Sequence, residues 1–222
     1  MLLGGNGVLA WAEKTVPSGV AALLVAFVPL WMVVLAALRP DGTRPSRSVV
    51  IGLALGLVGL VLLIGPGKVV GGADLDRIGA LAIVFAAFSW ALGSIYASTA
   101  PQHSSALLSA GLQMVTGGVM LLVVGLALGE RIVMEAISLR SASALGYLTF
   151  FGSIVAYTSY NWLLRNADTA KVSTYAYVNP IVAVFLGWVL AGEVLGVRTL
   201  VAAGVIVGAV ALIITAKAKK PA

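Results

Sequence analysis

Uncharged polar side chains set inside long apolar runs are the groups in this chain best placed to do chemistry. Asn6, Gln113, Asn161 and Asn179 each carry an amide, and Tyr96, Tyr157, Tyr175 and Tyr177 each carry a phenol hydroxyl, among stretches otherwise built largely of Ala, Val, Leu, Ile and Gly. An amide in hydrocarbon needs a hydrogen-bond partner, which either a neighbouring helix or a ligand in a cavity can supply. Two readings therefore stay open for each: a link between helices, or the wall of a substrate cavity. As cavity residues the candidates are Asn6, Trp90, Gln113, Tyr157, Asn161, Tyr175 and Asn179. Aromatic rings with amides can stack on and hydrogen-bond a small amphiphile.

Other chemistries are excluded by what the sequence lacks. There is no cysteine and only one histidine, His103, so thiolate metal sites, disulfides and a His-Glu-x-x-His motif are ruled out. No phosphate-cradling Walker loop and no Asp-rich metal-diphosphate motif is present, which disfavours an ATP-driven pump and a membrane-embedded transferase. The expectation is a protein that is not an enzyme and uses neither metal nor cofactor. Within the apolar runs no Asp, Glu, Lys or Arg lies away from the ends, so no buried proton relay is visible. Glu13 is the sharpest single carboxylate. It is either a solvated loop acid or a titratable group at the outer mouth that couples protons to release.

Composition fixes the surroundings of these groups. The chain is 60% hydrophobic and 10% charged over 222 residues, with a mean hydropathy of +1.07, too few polar residues to cover a water-soluble globule. Seven full membrane spans are expected near 17–38, 49–65, 78–98, 105–128, 143–164, 170–191 and 199–216, after an apolar half-length segment at 1–11. With the C-terminal Lys217, Lys219 and Lys220 in the cytoplasm, alternation divides the 14 basic residues eight to six in favour of that side. The loops near Asp41 and Asp168 then face the cytoplasm, and those near Asp74 and Glu193 face outward. The net charge of +6 is read as topology and lipid contact, with no nucleic-acid partner.

Part of the chain also occurs twice. Aligned without a gap, Trp11 falls on Trp162 and Pro29 on Pro180; with one extra loop residue, Gly52 and Gly56 fall on Gly204 and Gly208. Counting the half-length segment, matched spans lie five apart, so they cross in opposite directions and form an inverted repeat. The first repeat is assigned to 1–66, the second to 77–216, and a basic cytoplasmic tail to 217–222. The matched prolines are hinge candidates, because each removes a backbone bond in mid-span. Both glycine pairs are expected at close helix packing. Trp31, Trp162 and Trp188 are expected as interfacial anchors. The half-length first segment suggests a chain short of roughly seventy residues of a ten-helix protein, by the repeat logic.

Several motifs carry a family resemblance. Gly5-Asn6-Gly7, Val16-Pro17-Ser18-Gly19-Val20-Ala21-Ala22, Ser89-Trp90-Ala91 and Tyr175-Ala176-Tyr177-Val178-Asn179-Pro180 resemble the EamA-type permeases of the drug/metabolite transporter superfamily, with the YedA-like subgroup nearest. The resemblance implies ten helices in two inverted five-helix repeats, residence in the bacterial inner membrane, and export of small metabolites or drug-like compounds. The expectation is therefore an all-α integral membrane protein, an inverted-repeat helical bundle with seven full spans and a half helix in this chain. It would work as a secondary-active transporter by alternating access on a small-molecule substrate, in contact with membrane lipid and compatible with a homodimer. A non-functional fragment and, more remotely, a transferase are the alternatives.

Overall fold

The computed structural model describes residues 1–16, 18–40, 42, 44–65, 76–101, 105–131, 137–191 and 196–216. The expectations for His103, for the loop acids Asp41, Asp74 and Glu193, and for the basic tail 217–222 fall outside these residues. Helix α1 is wound as a π-helix over Leu2–Gly7 and continues as α-helix over Val8–Ala12. Next come α2 (Ser18–Val25), α3 (Val28–Ala37), α4 (Arg47–Ile64), α5 (Arg77–Thr99) and α6 (Ala106–Ala127). Helix α7 runs through three consecutive segments, Leu139–Tyr147, a π-wound Leu148–Tyr157 and Thr158–Asn166. Helices α8 (Thr169–Ser173), α9 (Tyr175–Ala191) and α10 (Val197–Thr215) complete the order.

Among the described residues, five stretches are long and apolar enough to cross a membrane: Val20–Ala37, Arg47–Ile64, Arg77–Thr99, Ala106–Ala127 and Val197–Thr215; Leu2–Ala12 is apolar but shorter. The other two expected spans are helical but interrupted. The one near 143–164 changes winding inside α7, and the one near 170–191 is divided at Thr174 into α8 and α9. Their outer faces are apolar and open: Val123 and Leu126 on α6, and Leu200 and Val207 on α10, are more than half exposed. Such a surface suits acyl chains rather than water. This is an all-α integral membrane protein.

Local chemistry sets the helix ends. Ser46, Ser105 and Ser138 each accept a backbone N–H three residues on, from Val49, Leu108 and Ser141, and so cap α4, α6 and α7. Gly65 ends α4 at φ 99° and Gly129 follows α6 at φ 81°, left-handed conformations open to glycine without steric cost.

The matched prolines do not act alike. Around Ala26 and Phe27 the backbone tightens, with Phe27 N–H donating to the Leu24 carbonyl at 3.2 Å, and α3 restarts at Val28 with Pro29 in its first turn. There the missing N–H of proline would have had no intrahelical partner. Pro180 instead sits inside α9, where it leaves the Ala176 carbonyl without its intrahelical donor but does not end the helix.

Two compact units make up the chain: residues 3–95 with 168–222, and residues 96–167. Met1 falls in the first and Leu2 in the second. These units follow packing, whereas the sequence repeat is a relation between segments, and the two divisions differ.

The first unit is built on α4 against α10. Its core gathers Ala26, Val33, Val49, Leu53, Leu60, Tyr177, Ile206 and Ile213. Glycine makes the close approach between helices possible. A Cβ at Gly56 would meet the Tyr177 ring at 2.8 Å, and one at Gly59 would meet Ile206 Cγ1 at 2.6 Å. With lipid on the outside no hydrophobic gradient drives helices together, so this interdigitation is the main attraction. The expectation of symmetric packing fails here. Among the described residues, nothing lies within 4 Å of a Cβ placed on Gly204 or Gly208. The reason is the choice of face: α10 buries Ala202, Ile206, Ala209 and Ile213, a helical stripe that leaves both glycines outside it.

Trp31 falls within the first turns of α3 and is half-buried, its ring edge-on to Phe88 at 5.3 Å and its Nε1 buried. Trp162 and Trp188 are about half exposed.

In the second unit α6 packs on α7. Arg165 Nη2, in the last turn of α7, donates to Ser109 Oγ at 3.1 Å.

Candidate functional site: an apolar cavity and a polar knot

Within the first unit, α1, α2, α3, α5 and α9 line a half-open cavity of about 200 Å³ bounded by Gly5, Asn6, Leu9, Val25, Val28, Ala86, Ala87, Trp90 and Tyr175. Each wall follows from helix geometry. Asn6 and Leu9 are three residues apart on α1, Ala86, Ala87 and Trp90 share one side of α5, and Val25 and Val28 flank the break between α2 and α3. Tyr175 begins α9 immediately after the interruption at Thr174. Both helix breaks thus bring a residue to the cavity.

The wall between α1 and α5 is tight. Gly5 is buried, and a Cβ built on it would lie 3.0 Å from Trp90 Cε3 and 3.7 Å from the Ala86 carbonyl oxygen. Gly5 therefore lets Trp90 lie against the α1 backbone. Ala86 and Ala87 are 3% and 2% exposed. Further along α5, Ser94 Oγ donates to the Trp90 carbonyl at 2.7 Å and to Met1 Sδ at 3.3 Å.

Of the sequence-derived candidates, Asn6, Trp90 and Tyr175 meet at this cavity. Asn6 is exposed, so its amide faces accessible space. Gln113, Tyr157 and Asn161 meet elsewhere, in the second unit. Tyr157 Oη donates to Gln113 Oε1 at 2.7 Å, Gln113 Nε2 donates to Asn161 Oδ1 at 3.2 Å, and Asn161 Nδ2 donates to the Tyr157 carbonyl at 2.9 Å. Asn161 is 2% exposed, so this knot places its amide among partners rather than against lipid.

Asn179, one turn beyond Tyr175, is exposed and is not among the cavity-lining residues. Tyr177, on the opposite face of α9, and Ser173, at the end of α8, are both 0% exposed. Tyr177 Oη donates to the Leu53 carbonyl of α4 at 3.3 Å, which holds α9 against α4. Pro29 is buried beside the cavity residue Val28, and Pro180 is half-buried. Glu13 is exposed at the end of α1. Close by, Thr15 Oγ1 donates to Asp76 Oδ2 at 2.7 Å and the Ile78 N–H donates to Asp76 Oδ1 at 3.0 Å, tying the end of α1 to the start of α5. These bonds, that of Thr15 foremost, hold the Asp76 carboxyl below its usual range.

Polarity was the signal that singled out Asn6 and Tyr175, so the small apolar walls escaped it. Ala86 and Ala87 stand four and three residues before Trp90, a spacing readable as one face of a helix. Val28 was visible as the repeat counterpart of Asn179.

Several apolar helices around a small, uncharged cavity define a multi-pass membrane protein suited to handling a small molecule. The match of residues 77–215 to the EamA-like transporter family places the chain in that family. Over 225 residues it is 40% identical to the "Uncharacterized inner membrane transporter YedA" of Escherichia coli (strain K12), covering 100% of this chain and 70% of that relative. It is 27% identical over 202 residues to a "Probable amino-acid metabolite efflux pump" of Salmonella typhimurium, covering 85% of this chain and 66% of that protein. One crystal structure, 22% identical, superposes with a TM-score of 0.76 over 94% of this chain and 72% of that one, a likeness of fold. The chain is a membrane transporter rather than an enzyme.

Proposed function

We propose that this chain carries the substrate site of a secondary-active exporter of small metabolites, working by alternating access. The observation that carries the reading is the cavity of about 200 Å³ on which Asn6, Trp90 and Tyr175 converge beside the helix break at Ala26–Phe27. A broken helix next to a binding cavity supplies both exposed backbone groups and a place to bend. The name of the Salmonella relative makes amino-acid metabolites a sensible first panel. Glu13, exposed at the end of α1, is the proposed proton-coupling carboxylate. The assignment of repeats to 1–66 and 77–216, with a cytoplasmic tail at 217–222, belongs to the same reading.

The test is efflux of a preloaded metabolite panel from cells expressing the chain. Asn6→Ala and Trp90→Ala should each lower efflux at equal membrane abundance, and Glu13→Gln should flatten its pH dependence. Efflux indifferent to both cavity substitutions would sink the reading. Orientation is checked separately by single-cysteine labelling in intact cells. A cysteine at 168 should resist external reagent and one at 193 should react.

A further inference from the structure

The cavity has a size and a chemistry, and together they restrict its ligand more narrowly than the function proposed above, on which this inference rests. We infer that it selects uncharged amphiphiles no larger than one ring or one fused pair of rings and rejects zwitterions and larger polycyclic compounds. Its volume is about 200 Å³. An apolar cavity of about 150 Å³ accommodates a benzene, whereas pockets for drug-sized ligands run to about 300–1,000 Å³. One ring with a short polar substituent fits, and a multi-ring drug does not.

Among the described residues that line it, none carries a charge. Gly5, Leu9, Val25, Val28, Ala86 and Ala87 are apolar, Trp90 and Tyr175 are aromatic, and Asn6 adds a neutral amide. A ligand ammonium or carboxylate desolvated here would find no counter-charge, a cost that a neutral hydroxyl or ring N–H avoids by bonding to Asn6. The size limit is built into the walls. Trp90 lies against the Gly5 backbone, and Ala86 and Ala87 are already close-packed. The walls have little room to retreat.

Isothermal titration calorimetry on the purified full chain in nanodiscs tests this with four probes: phenol, indole, and the zwitterions tyrosine and tryptophan that carry the same rings. Phenol and indole should bind saturably, and both zwitterions should not. Ala87→Leu adds three carbons to one wall and should weaken indole by at least about tenfold while affecting phenol less, as expected when pocket volume is the limit. Asn6→Leu, on an exposed wall position, is the second variant and should weaken both rings with thermal stability retained. Zwitterions binding as tightly as their bare rings, or ring binding indifferent to both substitutions, would overturn the inference. Efflux separates the two claims. Ring binding that depends on Ala87 without any transport defeats the exporter reading alone, and cavity-dependent export of zwitterions defeats the selectivity alone.

Discussion

Asn6 and Tyr157 occupy matching places in the duplicated sequence, yet they lead different lives. Asn6 stands exposed on a cavity wall among carbon side chains, while Tyr157 is buried and donates to Gln113 within a closed ring of hydrogen bonds that includes Asn161. Both sit at the end of a π-wound segment, Leu2–Gly7 in α1 and Leu148–Tyr157 in α7. Wide winding of this kind is rare and concentrates at functional sites. The difference teaches that a polar group in an apolar helix has two stable fates, satisfaction by neighbours or exposure to an accessible cavity. Position in a repeat does not decide between them. Partners do: α6 brings Gln113 to Tyr157, while α5 brings Trp90 and two alanines to Asn6.

The strongest way to break this contrast between matched positions uses the glycines. Gly56→Leu drives a side chain into the Tyr177 ring and should cost about 1–3 kcal/mol, the usual penalty of overpacking. Gly208→Leu, at the matching place, meets open space and should be neutral or slightly stabilising, because leucine is the better helix former. Thermal unfolding of the two variants in one detergent decides the point. Equal losses would mean that the α10 face has been assigned wrongly.

The prolines sharpen the same comparison at smaller amplitude. Pro180→Ala restores a donor for the Ala176 carbonyl inside a continuous helix and should stabilise by about 1 kcal/mol, the net worth of one hydrogen bond. Pro29→Ala restores no bond in the first turn of α3 and gives up a pre-set φ, so it should destabilise by about 0.4–1 kcal/mol. Melting temperatures shifting in the same direction would contradict the observed break at Ala26–Phe27.

Smaller again is the contrast between the two amides. Asn161→Leu removes one hydrogen bond between helices, worth about 0.6 kcal/mol on average in membranes, and one within α7, and should lower stability by about 1 kcal/mol. Asn6→Leu should leave stability nearly unchanged and lower efflux, since its amide faces accessible space. Measuring melting temperature and efflux on both variants separates a structural amide from a ligand-facing one.

Much of the fold was legible because a lipid environment leaves few solutions: the apolar runs at Arg47–Ile64, Arg77–Thr99, Ala106–Ala127 and Val197–Thr215 lie where hydropathy alone puts them. Helix faces were harder. Gly52, Gly56, Gly204 and Gly208 look alike in sequence, and only the rotation of α10, fixed by Ile206 and Ile213 packing on α4, separates packed from bare. The kink positions escaped for a related reason. A proline signals a missing bond, but whether the helix breaks depends on what packs around it, so α2 and α3 part three residues before Pro29 while α9 runs through Pro180. Within the site, polarity identified Asn6, Trp90 and Tyr175 as candidates but could not say that Gln113, Tyr157 and Asn161 form a separate group, since their meeting depends on how α6 lies on α7.

The smallest expected effect lies at the junction of α1 and α5, where Asp76 accepts from Thr15 Oγ1 and from the Ile78 N–H. These bonds favour the carboxylate, so the Asp76 pKa is lower in the folded chain than its ordinary value. A depressed carboxylate adds stability that is fully present above the unfolded pKa of about 3.9 and is lost as pH falls through the lower folded value. Asp76→Asn keeps one side-chain oxygen as an acceptor, puts a donor NH2 in place of the other and abolishes the titration. The melting temperature of the unsubstituted chain should therefore exceed that of Asp76→Asn at pH 6, and the gap should close below about pH 4. Asp76 lies at the surface and is only partly covered, so the gap should be small and should shrink further in high salt. A gap that widens on acidification would mean that the carboxylate is disfavoured at this junction, and that Thr15 does not hold α1 to α5 through it.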